Sequence, residues 1–402
     1  MKEEWKKTII GEICDVGGGS TPRRTDKTLW DNGTYPWFTV EDIREQGRII
    51  SYTRQSITEK AWKTMRVFPA NSVLLCCTAS IGEYALTTIP ITTNQQFNGL
   101  TIKDSIEVLP MFLLYYCSTL KDKLLSLSGR TTINFVSGEK VRNLPFSFPS
   151  LSEQQRIVDL LDAEFAKIDA LKANAEKNLQ NAKDLFQAAL NKLIIGGSKG
   201  WKSTKLKTIC SKIGSGATPL GGKSTYGKEG VSLIRSLNVH NNEFHYEDLA
   251  HINEEQVKQL SNVEIKENDV LFNITGASVT RCCKVPKNVL PARVNQHVSI
   301  LRLLPYTLLP NFLVYTMISP HHNSALMKMA ENGATRQAIT KKQLEEWVIK
   351  YPETIADQQS IVSRLDTLNE KCKALQANYE KTLSLCDDLK QALLRKAFNG
   401  EI

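Results

Sequence analysis

No stretch of this sequence stays apolar for the roughly 18 residues that a membrane-spanning helix requires, and its first residues carry Lys, Glu and Trp where a secretory leader would be apolar. The chain is therefore expected to work in the cytoplasm. Its nine cysteines include no C-x-x-C pair; they fall as Cys76-Cys77, Cys282-Cys283 and scattered singles, the pattern of small buried side chains in a reducing compartment rather than of a zinc site. Six histidines, the adjacent His321 and His322 among them, offer no metal-ligand spacing, so no metal is expected. Segments that chemistry would need are also missing. There is no Asn-Pro-Pro-Phe or Asp-Pro-Pro-Tyr run to hold a flipped adenine, no Gly-rich cofactor loop behind a strand, and no repeated carboxylate-lysine cluster of a nuclease. Ala217-Thr218-Pro219-Leu220-Gly221-Gly222-Lys223-Ser224 approaches a phosphate loop. However, Ala stands at the first glycine position, Pro219 interrupts it, and Tyr226, Gly227 and Gly230 follow in place of a helix. No catalytic residue and no cofactor is expected in this chain.

What is present begins with charge. The 402 residues, enough for two or three ordinary domains, carry a formal net charge of +9. Two long helical stretches contain slightly more acidic than basic residues, so the positive surplus belongs to the remaining globular parts. A protein-binding scaffold has little use for such a surplus, whereas a polyanion is attracted by it.

The decisive feature is an internal repeat with a period of about 200 residues. Trp5-Lys6 and Ile13-Cys14 return as Trp201-Lys202 and Ile209-Cys210, and the Gly-rich turn ending in Pro22 returns ending in Pro219. Val73-Leu74-Leu75 with Thr78 returns as Val270-Leu271-Phe272 with Thr275, and Asn94-Gln95 as Asn295-Gln296. Gln154-Gln155-Arg156-Ile157-Val158 with Leu161-Asp162 returns as Gln358-Gln359-Ser360-Ile361-Val362 with Leu365-Asp366. The first part of each copy mixes short β-branched runs with turn signals such as Asp31-Asn32-Gly33 and Gly221-Gly222, the signature of a mixed α/β domain. In the second part, apolar residues step by threes and fours: Ile157, Leu161, Phe165, Ile168, Leu171, Ala175, Leu179, Ala182, Phe186, Ala189, and then Ile361, Leu365, Leu368, Cys372, Leu375, Tyr379, Leu383, Cys386, Leu389, Leu393. Those stripes predict two long helices close to the 3.5-residue period of a coiled coil. Ser152 with Gln155 predicts a capping box for the first and Thr354 with Asp357 a weaker start for the second; Gly196-Gly197 and Asn399-Gly400 predict the ends.

The expected order is a globular domain at 1–150, a helix at 151–197, a second domain at 198–352 and a second helix at 353–402. Two like units in one chain should associate as a homodimer would, about an approximate two-fold axis, with the helices antiparallel and Ile402 near Met1. Such a pair would act as a ruler roughly 65 Å long between two reading heads. Exposed turns differ between the copies, Arg23-Arg24-Thr25 against Leu220-Gly221-Gly222 and Trp37-Phe38-Thr39 against Leu233-Ile234-Arg235, so the two halves of a target would differ.

The sequence resembles the specificity subunit of type I restriction-modification systems over essentially its whole length. The motifs that carry the resemblance are Gly19-Ser20-Thr21-Pro22 and Gly216-Ala217-Thr218-Pro219, Tyr35-Pro36-Trp37 with Glu41-Asp42-Ile43, Asn94 through Leu100, and the Leu151-Ser152-Glu153-Gln154-Gln155-Arg156-Ile157-Val158 run. The resemblance implies two target-recognition domains on double-stranded DNA, joined by helices that bind two methyltransferase subunits, with restriction (translocase) subunits completing the assembly. S-adenosylmethionine, ATP and Mg would then serve those partners. The second copy departs from the pattern at Ala356-Asp357-Gln358 and at Thr335-Arg336-Gln337.

Arg suits guanine or phosphate and hydroxyls suit either, which selects Arg23, Arg24, Lys27, Arg44, Thr78, Ser80, Arg130 and Thr131 as first-domain DNA contacts. The same turns of the second domain contribute Lys223, Tyr226, Arg235, Ser236, Asn238, His240, Thr275, Arg281, Arg336 and Gln337. Asn94-Gln95 and Asn295-Gln296, which recur in both copies, are expected to satisfy backbone groups rather than to read bases.

Overall fold

The computed structural model describes residues 5–129, 134–196, 200–219, 221–227, 229–331 and 337–402. The chain divides into two compact units, one of Met1–Ala175 with Lys381–Ile402 and one of Glu176–Glu380.

In the first unit a five-stranded sheet runs in the order Cys14–Gly18, Phe97–Ile102, Val73–Cys76, Tyr84–Thr87, Ile49–Ile50, with only the last pair parallel. A three-stranded sheet has Tyr35–Phe38 at its centre, antiparallel to Gln55–Ile57 and parallel to Thr92–Thr93. A two-stranded ribbon joins Lys6–Ile9 to Pro145–Phe148. The second unit repeats the plan. Its four-stranded sheet runs Cys210–Ser215, Val298–Leu303, Val270–Asn273, Cys282–Lys284, and its three-stranded sheet centres Val231–Ile234 between antiparallel Ala250–Ile252 and parallel Ala292–Val294. Its ribbon joins Lys202–Lys205 to Val348–Tyr351.

The run Val73-Leu74-Leu75-Cys76 has no polar alternation because its sheet separates two cores. Val73 and Leu75 enter one with Ile10, Phe112 and Phe146, while Leu74 and Cys76 enter another with Phe38, Phe68 and Phe97. Val270 and Phe272 likewise face away from Leu271. Each such side chain contributes about 1.5–3 kcal/mol by burial, so these strands anchor everything attached to their ends.

Four helices matter for function: α1 (Pro110–Ser118), α2 (Leu151–Asn191), α3 (Pro310–Ile318) and α4 (Ile355–Phe398). The α1 amide at Leu109, just before the helix, donates to Gln154 Oε1 at 2.8 Å, and Gln154 Nε2 donates to the carbonyls of Glu107 and Pro149 at 2.9 Å each. In the second unit Leu309 N donates to Gln358 Oε1 at 2.9 Å, and Gln358 Nε2 donates to the Pro352 and Thr307 carbonyls at 2.9 and 3.4 Å. The Tyr115 hydroxyl donates to Asp162, and that of Tyr315 to Asp366 at 2.5 Å. Burial, and then the adjacent carboxylate, push both phenols well above their ordinary pKa. The repeated Gln and Asp of the helix motif thus pin each long helix to its own globular part.

Helix pairing within the first unit is antiparallel. Lys172 pairs with Asp387 at 2.7 Å and Asp169 with Lys390 at 2.5 Å, so the partner index rises by three as the other falls by three. Ile157 and Leu161 of α2 share a core with Leu394 and Ala397 of α4, and Trp5 packs on Phe112, with its ring 3.8 Å from where a Cβ on Gly400 would lie. The chain's end therefore lies beside Trp5, at the head of the first strand; Met1, the expected neighbour of Ile402, lies outside the described residues. In the second unit Phe186 and Leu190 of α2 bury with Val362, Leu365 and Cys372 of α4.

Three expectations are corrected. The α2 helix begins at Leu151, which puts Ser152 and Gln155 inside it; Gln155 bonds Asp159 at 2.7 Å, and no Ser152–Gln155 capping box appears. The start expected to be weaker is the capped one, since the Asp357 amide donates to Thr354 Oγ1 at 3.1 Å and Thr354 Oγ1 donates to Asp357 Oδ2 at 2.6 Å. Leu171, Leu375 and Leu389, placed on the stripes, are 51%, 41% and 48% exposed. Among the buried residues of α2, Leu161, Ile168, Ala175 and Ala182 follow a strict heptad that Leu171 does not join. Gly400 takes φ of 69°, the left-handed end that Asn399-Gly400 predicted.

Candidate nucleic-acid interface

The sheet ends fix a frame of loops that is the same in both units. In the first, the Gly19 amide donates to the Phe97 carbonyl at 3.1 Å, the Ser20 amide to Thr93 at 2.8 Å, and Thr21 Oγ1 to Gln95 Oε1 at 2.5 Å. A side chain at Gly19 would collide with the Thr93 and Asn94 carbonyls, so only glycine lets the Thr-Pro turn lie this close. Asn94 Oδ1 accepts from Gln96 N at 3.0 Å and Cys77 N donates to Gln96 O at 2.7 Å, which brings the Thr78–Ser80 loop alongside. Thr78 bridges to Phe135.

In the second unit Gly216 N donates to Asn295 O at 3.1 Å and Thr218 Oγ1 to Gln296 Oε1 at 2.6 Å. Asn295 Oδ1 accepts from His297 N at 3.0 Å, Ile274 N donates to His297 O at 3.0 Å, and Thr275 bridges to Ala338. The two Asn-Gln turns hold backbone and Thr-Pro hydroxyls, the structural part expected of them.

What stands on this frame differs. In the first unit Arg24 lies over Trp30 and Trp37, its guanidinium carbon 3.8 and 4.6 Å from the ring centroids, and its Nη1 donates to Gln55 Oε1 at 2.9 Å. Trp37 is buried and donates to the Ser20 carbonyl at 3.2 Å, while Trp30 donates to the Arg23 carbonyl at 3.2 Å. Arg23, Arg24 and Lys27 are all exposed, and none forms an ion pair among the described residues. Asp26 is turned inward to cap the Lys27–Leu29 turn through Thr28, and that bond holds its carboxyl below the ordinary range. Arg44 lies on the helix Val40–Gln46, paired with Glu41. Arg130 and Thr131 lie outside the described residues.

In the second unit the half-buried Arg235 lies 5.6 Å from the Tyr226 ring and donates to the Asp248 carbonyl. His240 stacks on His245, centroids 3.6 Å apart and 9° from coplanar, with Arg281 Nη1 3.3 Å from His240 Nε2. Burial, then His245 and Arg281, lower the pKa of His240, so its ring stays neutral at neutral pH. Thr275 Oγ1 meets His297 Nδ1, and Gln337 contributes its carbonyl to Gly276 N at 3.0 Å. Ser236 is half-exposed and gives its carbonyl to Asn273. Asn238 is corrected: it is fully buried, receives the Arg235 amide at 3.1 Å and donates to the His245 and Glu247 carbonyls, the same turn-closing part that buried Asp42 plays for Thr39. Arg336 and the Lys223 side chain lie outside the described residues.

Sequence reasoning missed Trp30, Gln55 and His245 as members of these groups. Trp30 sits six residues from Arg24 and was visible as a neighbour; Gln55 arrives only through its strand register with Trp37, which has no local signal. Among the described residues no group of three His, Cys, Asp or Glu side chains is placed to hold a metal, and no helix is long and apolar enough to cross a membrane.

A family model described as "Type I restriction modification DNA specificity domain" matches residues 2–181 and again 198–384. The type I restriction enzyme EcoprrI specificity subunit of Escherichia coli is 36% identical over 174 residues, covering 40% of this chain and 42% of that protein. The MjaIX specificity subunit of Methanocaldococcus jannaschii is 25% identical over 431 aligned residues, covering 100% of this chain and 94% of the relative. Among solved structures, one described as the structural basis of complex assembly and conformational transition of the type I R-M system shares the fold with a TM-score of 0.80 at 20% identity, over all of both chains. The HsdS subunit from Thermoanaerobacter tengcongensis shares it at 0.60 and 19%, over 99% of this chain and 97% of that one.

Proposed function

We propose a function from one fact: the chain belongs to the type I restriction modification DNA specificity family, whose domain it carries twice. It acts as a specificity subunit, binding double-stranded DNA and choosing the sequence at which partner enzymes work. Each unit is a target-recognition domain that reads one half of a split, asymmetric site. The observation that carries this is the pairing of one loop frame with two chemistries: an Arg24 clamped by tryptophans in the first unit, an Arg235 on Tyr226 beside stacked histidines in the second. One frame presents both to the same kind of ligand, and unlike side chains select unlike bases.

Methyl transfer from S-adenosylmethionine and ATP- and Mg-dependent translocation and cleavage belong to partner subunits in the cytoplasm, and this chain contributes no catalytic residue. Two methyltransferase subunits dock on the paired helices, which also set the gap between half-sites. Leucines left outside the seam supply apolar anchors for docking: Leu171, Leu385 and Leu389 in the first unit, Leu185 and Leu375 in the second.

Mapping the methylated positions produced by this chain with its methyltransferase partner tests the proposal. A motif of two unlike halves around an unread gap is expected, with binding that weakens steeply as salt rises. An unsplit or palindromic motif, or binding indifferent to salt, would overturn it.

A further inference from the structure

Arg24 differs from Arg23 and Lys27, the other exposed cations of its turn, in being held between aromatic rings. Two indole rings at right angles, 88° apart with centroids at 5.0 Å, form a corner in which the guanidinium rests, and the Gln55 carbonyl fixes its rotation through Nη1. The corner is itself rigid, since Trp37 is 2% exposed and both indole N–H groups are spent on backbone carbonyls. The Nε and Nη2 groups form the opposite edge of the guanidinium, and neither bonds to anything among the described residues. A phosphate accepts a cation from many directions and needs no such setting; unclamped Arg23 and Lys27 suffice for that. A base edge needs two parallel donors at a fixed angle. Guanine offers the matching pair of acceptors, O6 and N7, in the major groove.

We infer that Arg24 is the specificity-determining side chain of the first unit and that it selects a guanine through its Nε–Nη2 edge, with Trp30, Trp37 and Gln55 as positioning residues. The inference rests on the DNA-reading function proposed above. Gly221 stands at the equivalent place of the second unit, so the guanine belongs to one half-site only.

The test uses the full chain assembled with its methyltransferase partner on a library of random duplexes, reading methylation motifs from wild type, Arg24→Ala, Arg24→Lys and Gln55→Ala. Wild type should require guanine at one position of the first half-site. Arg24→Ala and Arg24→Lys should each lower discrimination at that position alone by about 10- to 100-fold while the second half-site stays as selective as before. Gln55→Ala should relax the same position less. Lysine keeps the charge but not the paired donors, so retained discrimination in Arg24→Lys would overturn the inference. So would an even loss at every position, which would make Arg24 a phosphate contact or a prop for the fold. A wild-type motif without any split would instead overturn the DNA-reading proposal itself.

Discussion

At the scale of single residues, the side chains most repeated in the sequence are not those that face outward. Gln154 and Gln358 are fully buried and Asn238 is too; each spends its amide on backbone groups that would otherwise be stranded. His322 shows the cost of burial for a titratable group. It is 8% exposed, accepts the Trp347 indole N–H at 3.2 Å on Nδ1, and is lowered from 6.5 to about 4, first by desolvation and then by the neighbouring His321. Between those two pH values the unfolded chain binds a proton that the folded chain refuses. Stability of the second unit should therefore be full above about pH 6.5, fall as the pH drops through that window and level off below about 4, the whole difference amounting to at most about 3 kcal/mol. Urea midpoints at pH 7.5, 6 and 5 check this: His322→Asn should flatten the wild-type decline, and equal slopes in the two proteins would refute the assignment.

Among the elements, the long helices show what could and could not be read from the sequence. Their existence, their antiparallel pairing and the Gly400 end follow from periodicity and repeat, because an apolar stripe and a helix terminator are local features. The phase of the stripe was not local: Leu161 and Leu171 look alike in sequence, and only the position of α4 decides that one is 1% and the other 51% exposed. Leu161→Ala should accordingly cost about 3 kcal/mol and Leu171→Ala less than about 0.5 kcal/mol, measured by chemical denaturation of the isolated chain. Comparable costs would mean that the seam runs elsewhere. The candidate site divides in the same manner. Arg24 is visible as an arginine in a variable turn, yet its clamp combines Trp30 from that turn with Trp37 and Gln55 from paired strands, and strand register cannot be read from composition. Asn238 was misplaced for the converse reason, since a polar residue in a turn looks exposed until its three partners are known.

For the molecule as a whole, the repeat makes each half a substitute for the other. In the first unit Leu394 and Phe398 of α4 cover the core around Phe112, Tyr116, Ile157 and Leu161, with the Phe398 ring 5.0 Å from Phe112 and 5.8 Å from Tyr116. The second copy of that arrangement places Leu190, at the end of α2, and Ile194, in the Lys192–Gly196 turn that follows it, in the core around Phe312 and Leu365. A chain ending at Gly196 loses the α4 cover but keeps Leu190 and Ile194 with nothing of their own to bury. Two such fragments satisfy each other: the α2 end of each covers the Phe112 core of its fellow, a closed two-fold exchange that leaves no apolar face open. The fragment should therefore sediment as a dimer and, with the methyltransferase partner, direct methylation to a palindrome of the first half-site. A soluble monomer would show that the cover supplied by α4 is dispensable, and a dimer that still selects an asymmetric motif would show that the two units do not read the DNA separately.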